Sequence, residues 1–341
     1  MQTTSTRPAT WLIVLAFALV YLIWGSSYIG IRFAVQSIPP FFMAGSRFLV
    51  AGVILFAWGR LRGAPMPTRS NWRAAAIATT PMFLINNSLL VWSQSQGLPS
   101  GLAAVVIAST PMWVVLITWF SPGGKRPSWM VIGGITLSTM GIIALANPEQ
   151  ALAAHFNPLL VLAPLIAAIA WAVGSLYGRT ADLPKDAPLS TGIQLMVGGV
   201  MVLILSAITG DMGQFDPSQV KPESWFAWVH LTLMASIVAF TSFTWLMRNI
   251  TPARVMTYAY VNPVIAVFLG WILASETFDG ATLLAAAVII GGVFLIVADQ
   301  GRRRQVLSAD AAPTEARETF PGRRRLPRWL DRRSTEATHS G

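Results

Sequence analysis

Cysteine is absent from the chain, which excludes disulfides, thiolate metal sites and thiol nucleophiles. Charge is scarce: Asp, Glu, Lys and Arg make up 11% of the 341 residues, against roughly 25% in a soluble domain. Only 14 residues are acidic. None of them falls in the core of a long apolar run, so a relay of buried carboxylates has no support. Neither His-Glu-x-x-His nor Gly-x-Ser-x-Gly occurs, which argues against an enzyme inside the bilayer. Gly123-Gly124-Lys125 lacks the spacing and the following Ser or Thr of a phosphate-binding loop, so ATP is not the driver. No cofactor and no metal are expected.

What the chain has is apolar sequence, 54% of its residues, with a mean hydropathy of +0.58. A bilayer core needs about 20 apolar residues per helix. Segments 11–35, 41–58, 72–94, 101–120, 129–146, 158–178, 190–209, 225–247, 253–274 and 280–298 read as ten transmembrane helices. Strands are excluded because none of these runs alternates at period 2. Pro39-Pro40, Gly63-Ala64-Pro65, Ser121-Pro122-Gly123-Gly124 and Asn147-Pro148 break the chain between them. Arg7 before the first run imitates a secretory signal, but that run is too long for one and many more follow.

The net charge of +10 invites a nucleic-acid partner, and its placement argues against one. Arg7, Arg60, Arg62, Arg69, Arg73, Lys125, Arg126, Arg179, Lys185, Arg248 and Arg254 fall on one side of the alternating spans, and Lys221 on the other. Positive loops stay cytoplasmic. The chain is therefore expected to cross a bacterial inner membrane many times, with residues 1–10 and the C-terminus both in the cytoplasm. Residues 300–341 carry Arg302-Arg303-Arg304 and Arg323-Arg324-Arg325 and read as a disordered basic tail, solvated or lying on anionic lipid.

The two halves repeat each other. Trp24, Arg32, Arg47 and Gly52 correspond to Trp171, Arg179, Gln194 and Gly199 at a spacing of 147. Trp72 and Trp92 correspond to Trp225 and Trp245 at 153, and Pro111 and Trp119 to Pro263 and Trp271 at 152. Residues 11–147 and 158–299 then form two five-helix repeats. Five is odd, so the second repeat enters from the opposite face. Inverted repeats are characteristic of secondary transporters with a site near the midplane, between the halves.

Trp24-Gly25-Ser26-Ser27, Pro40 with Arg47, Pro111, Asn262-Pro263 and Ser275-Glu276 together resemble the drug/metabolite transporter superfamily, and within it the EamA-type exporters, over about residues 11–300. The resemblance implies ten helices around a central cavity and export of amino acids, related metabolites or drugs. Importers and exchangers of sugars and other metabolites also belong to the superfamily. The chain has Gly123-Gly124 where a first-half counterpart of Glu276 is expected.

Arg47 lies about six residues inside its span, roughly 9 Å deep at 1.5 Å per residue. A charge at the centre of a span costs at least ~2.5 kcal/mol. Arg47 is either an anchor for a substrate carboxylate, which guanidinium binds bidentately, or a structural Arg that snorkels outward or holds the carbonyls of a broken helix. Its counterpart Gln194 is neutral. Ser27, Asn86, Asn87 and Asn262 are mid-span polar groups that need partners, on a neighbouring helix or in a wet cavity. Trp24, Tyr28, Trp171, Tyr258 and Tyr260 either wall that cavity or pack against neighbours and lipid. Pro111 and Pro263 are candidate hinges, each removing an N–H at a matching depth. Arg32 and Glu276 at the outer face either close a gate as a salt bridge or stand as separate solvated charges. His230 is the one group inside a span that titrates near neutrality, which leaves protons or the substrate's own gradient as the driver.

These readings converge on a secondary transporter that exports small organic solutes by alternating access, as a monomer or homodimer, with a small-molecule substrate and the lipid bilayer as partners. A channel would want rings of charge or carbonyls along a pore, and the chain offers one deep Arg and scattered amides.

Overall fold

The computed structural model describes residues 9–122, 124, 126–146, 158–250, 255 and 257–310. Helix α1 spans Thr10–Ala34, α2 Pro40–Leu61, α3 Arg69–Ser95, α4 Ser100–Phe120 and α5 Trp129–Ala146. They are followed by α6 at Leu159–Gly178, α7 at Ala187–Ile208, α8 at Pro222–Met247, α9 at Tyr258–Ala274 and α10 at Gly280–Asp310. No strand occurs among the described residues. Helices α1 to α4 and α6 to α8 are each long and apolar enough to cross a membrane, and α5, α9 and α10 contain shorter apolar stretches. Leu22, Ile208, Phe268, Leu284 and Phe294 are each more than half exposed. A soluble protein rarely presents so much apolar surface, and lipid solvates it. The chain is an all-helical polytopic membrane protein.

Local chemistry sets the helix ends. Pro40 occupies the first position of α2, where its missing N–H costs nothing. Thr68 and Asn71 exchange side-chain and backbone bonds at the start of α3. The Asp186 carboxylate accepts from the Leu189 N–H and caps α7. The C-terminal end differs from expectation. Helix α10 runs through Gly301 and Arg302-Arg303-Arg304 to Asp310, so residues 300–310 of the supposed disordered tail are helical. Arg and Gln are strong helix formers, and one glycine does not outweigh them. Residues 301–341 form a unit of their own, and the part of the tail at 311–341 lies outside the described residues.

The most extensive packing joins α2 to α7. A Cβ at Gly52 would lie 2.5 Å from the Met196 nitrogen and 2.9 Å from the Gly192 oxygen. One at Gly199 would lie 2.5 Å from the Leu49 nitrogen and 3.0 Å from the Gly45 oxygen. Gly45 meets Gly199 and Gly52 meets Gly192, so the two helices run antiparallel with backbones in contact. Small residues permit this approach, which in lipid is the main source of helix association.

Two helices change their winding. Thr80–Ile85 in α3 and Leu231–Ala239 in α8 are π-helical. Pro81 lacks an N–H and clashes with the preceding turn, which forces the first. In both segments a side chain bonds the carbonyl five residues back: Asn87 Nδ2 donates to Met82 at 3.4 Å, and Ser236 Oγ to Leu231 at 3.0 Å. Under the spacing of 153 the first segment falls within the second. The two prolines sit differently in their helices. Helix α4 is interrupted at Ala108–Ser109, just before Pro111, whereas α9 continues through Pro263. Pro111 lies in the first turn of the new helical segment and needs no partner there, while Pro263 is absorbed without a break.

Gly52→Leu is expected to cost about 1–3 kcal/mol by overpacking, read as a lowered Tm and loss of the monodisperse peak of the detergent-solubilised protein. Gly133→Ala, whose added Cβ meets open space, should leave both unchanged.

Candidate functional site

Side chains from α1 to α4 and α6 to α9 surround a cavity with about 110 Å³ of space, room for several waters. Trp24, Ser27, Tyr28, Arg47, Asn86, Asn87, Trp171, Tyr258 and Asn262 all line it. Gln194 does not. It bonds back along its own helix, Nε2 donating to the Ser190 carbonyl at 3.0 Å. Gln194 is thus turned away from the cavity, and Arg47 is the charged group among the described residues that line it. The side chain of Tyr260 lies outside the described residues.

Arg47 does not snorkel. It is 4% exposed, and its Nη2 donates to Asn87 Oδ1 at 2.8 Å. Its guanidinium carbon lies 4.4 Å from the Phe48 ring centroid, within cation–π range. Its Nε is buried without a partner. Asn87 is held by its bond to Met82 in the π segment, so the irregular turn of α3 aims the amide at Arg47. Asn86 Nδ2 donates to the Ala167 carbonyl of α6 at 2.8 Å, tying the same turn to the second half. Asn262 Oδ1 is buried and unpartnered.

Aromatic rings supply the rest of the wall. Trp24 meets Trp171 at 6.1 Å and 90°, and Tyr258 at 5.2 Å and 79°. Its Nε1 donates to the Ala235 carbonyl at 3.3 Å, inside the π segment of α8. Phe83 lies 4.8 Å from Phe48 and 5.6 Å from Phe240. Sequence reasoning missed Phe48, Phe83 and Phe240, because a Phe in an apolar run offers no contrast with its neighbours. Pro81 was the available signal, since it sets the turn that carries Phe83 inward.

One turn beyond Tyr28 on α1, Arg32 Nε lies 3.3 Å from Glu276 Oε1. The Glu276 side chain is 2% exposed, so these are not separate solvated charges. Its carboxylate also accepts from the Ser100 N–H at 2.7 Å, the Ser100 hydroxyl at 2.9 Å and the Gly101 N–H at 3.2 Å. It therefore caps the N-terminus of α4, where the helix dipole favours an anion. Ser275 reaches this geometry with φ of 51°, a left-handed conformation unusual for a non-glycine. Gly270 leaves room: a Cβ there would fall on the carboxylate. A second acid does the same job in α2. Asp211 accepts from the N–H groups of Phe41 and Phe42 at 2.8 and 2.9 Å. His230 stands outside the cavity, with Nε2 3.1 Å from Ser26 Oγ.

Residues 11–147 and 158–298 match the EamA-like transporter family. The chain is 37% identical over 281 residues to the uncharacterized inner membrane transporter YedA of Escherichia coli K12, covering 82% of this chain and 88% of that one. It is 23% identical over 334 residues to an S-adenosylmethionine/S-adenosylhomocysteine transporter of Chlamydia trachomatis, covering 91% and 96%. A WAT1-related chloroplastic protein of Arabidopsis thaliana is 24% identical over 290 residues, covering 82% and 68%. One crystal structure shares the fold at a TM-score of 0.59 and 21% identity, over 84% of this chain and 98% of that one.

Arg32→Ala and Glu276→Ala should be coupled by about 0.5–3 kcal/mol in a double-mutant cycle on thermal stability. Additive losses would mean that the two charges do not interact.

Proposed function

Because the chain belongs to the EamA-like transporter family, we propose that it is a secondary transporter exporting small organic solutes, the class that includes amino acids, related metabolites and drugs, across the inner membrane by alternating access. The observation that carries the proposal is Arg47. A buried cation with a free N–H, set in an aromatic cavity among eight helices, is costly unless a solute completes it. Import or exchange of sugars and phosphorylated metabolites would favour several cavity cations, and Arg47 is the one charged residue among those lining the cavity.

The architecture proposed is ten spans in two inverted five-helix repeats, 11–147 and 158–299, with both termini cytoplasmic. Support comes from the two matched stretches of the family, the π segments at equivalent positions and the antiparallel contact of α2 with α7. In this reading Arg32 and Glu276 form the outer gate, and the break before Pro111 is the hinge, with Pro263 a lesser one. Among the described residues no acid lines the cavity and His230 lies outside it, so the solute's own gradient is favoured over protons as the driver. With about 110 Å³ of space, the cavity is too small for a drug-sized ligand in this conformation.

In proteoliposomes the protein should show saturable uptake and counterflow of a carboxylate solute. Arg47→Ala should lower that flux roughly ten- to a hundredfold, matching about 1.5–3 kcal/mol for a charged hydrogen bond, with Tm showing that the variant is folded. Flux that rises linearly with concentration and shows no counterflow would mean a channel. The absence of native cysteine makes topology directly testable: Asn147→Cys should react with an impermeant maleimide in whole cells and Asn249→Cys only after permeabilisation. Labelling of both from one face would overturn the inverted repeat.

A further inference from the structure

We propose that the cavity selects monoanionic organic acids with a flat apolar body, over zwitterions and organic cations that share that body. The inference rests on the cavity being the transport site and narrows what enters it. Its first support is charge balance. Among the described residues that line the cavity, Arg47 carries the one formal charge and none is a carboxylate. Arg47 is fully walled in, gives one N–H to Asn87, and leaves Nε unpartnered. A substrate carboxylate completes that guanidinium and cancels its charge in one step. A zwitterion brings the same carboxylate but also an ammonium that finds no acid. A cation brings only repulsion.

Aromatic faces are the other resource for an ammonium, and here they are largely committed. Trp24, Trp171 and Tyr258 meet edge to face, and Phe48 already faces the Arg47 guanidinium. What remains is an apolar wall that suits a flat ring. Asn262 Oδ1, buried and unpartnered, accepts one hydrogen bond, which a neutral O–H or N–H on the substrate's body supplies. The expected substrate is thus an aromatic or similarly flat carboxylate, preferably with one neutral donor.

Three probes with a common phenylethyl body separate the possibilities: 3-phenylpropionate, phenylalanine and phenethylamine. Calorimetric binding to the full-length detergent-purified protein should rank 3-phenylpropionate at least tenfold above phenylalanine, with no binding of phenethylamine. In Arg47→Gln the preference should collapse to within about twofold. Arg47→Lys, which keeps the charge, should retain the order at lower affinity. The wild-type ranking decides alone if Arg47→Gln does not fold. Phenylalanine or phenethylamine binding as tightly as the acid, no binding of any probe, or a ranking that survives in folded Arg47→Gln would each overturn the inference. Counterflow of phenylalanine exceeding that of 3-phenylpropionate sinks this selectivity but leaves the carrier standing. Tight anion binding without counterflow sinks the carrier instead.

Discussion

In hydrocarbon every backbone N–H and C=O must find its partner within the protein, and the rest of this structure follows from how that rule is met and where it is bent. The helices satisfy it along most of their length. Among the described residues the departures are π segments in α3 and α8 and the break in α4 before Pro111. Residues of all three border the cavity, among them Phe83, Ala235 and Thr110. The displaced carbonyls there are taken up by side chains, those of Asn87, Ser236 and Trp24. Irregular backbone within membrane depth is tolerated where protein or a wet cavity lines it, and that is where this chain puts it.

The same constraint explains the buried acids. A helix that starts inside protein leaves orphan N–H groups. Glu276 supplies the missing acceptor for α4 and Asp211 for α2. Neither acid shares the cavity with Arg47. Glu276 spends its charge on Arg32 and a helix N-terminus, so these two carboxylates hold helices in place and, among the described residues, the cavity lining keeps a single positive charge. Scarcity of acid in the composition therefore becomes an electrostatic property of the site.

Close packing makes the arrangement rigid in one place and leaves it open in another. The glycine seam of α2 with α7 brings backbones into contact, and these helices carry Arg47 and Leu195 into the cavity. The interruption in α4 and the ion pair of Arg32 with Glu276 lie on other elements, outside this seam. A transporter needs such a division, because alternating access turns on bodies that move against one another around a fixed site.

Much of this was legible in the sequence, for physical reasons that differ by feature. Long apolar runs and proline-glycine breakers located most helix ends within three residues, since lipid imposes length and composition together. Trp24, Arg47, Asn86, Asn87 and Asn262 stood out because a polar or bulky group is conspicuous in an apolar run. The helix through Gly301 was missed because water permits either state beyond the bilayer and only local propensity decides. The sequence by itself determined an all-helical membrane chain and the shortlist of its polar residues. Only the tertiary structure decided that Gln194 bonds back to Ser190 and away from the cavity, that Phe48, Phe83 and Phe240 wall it, and that Arg32 meets Glu276. Those outcomes depend on rotation about helix axes and on pairings between residues up to 244 positions apart, which no run of neighbouring residues encodes.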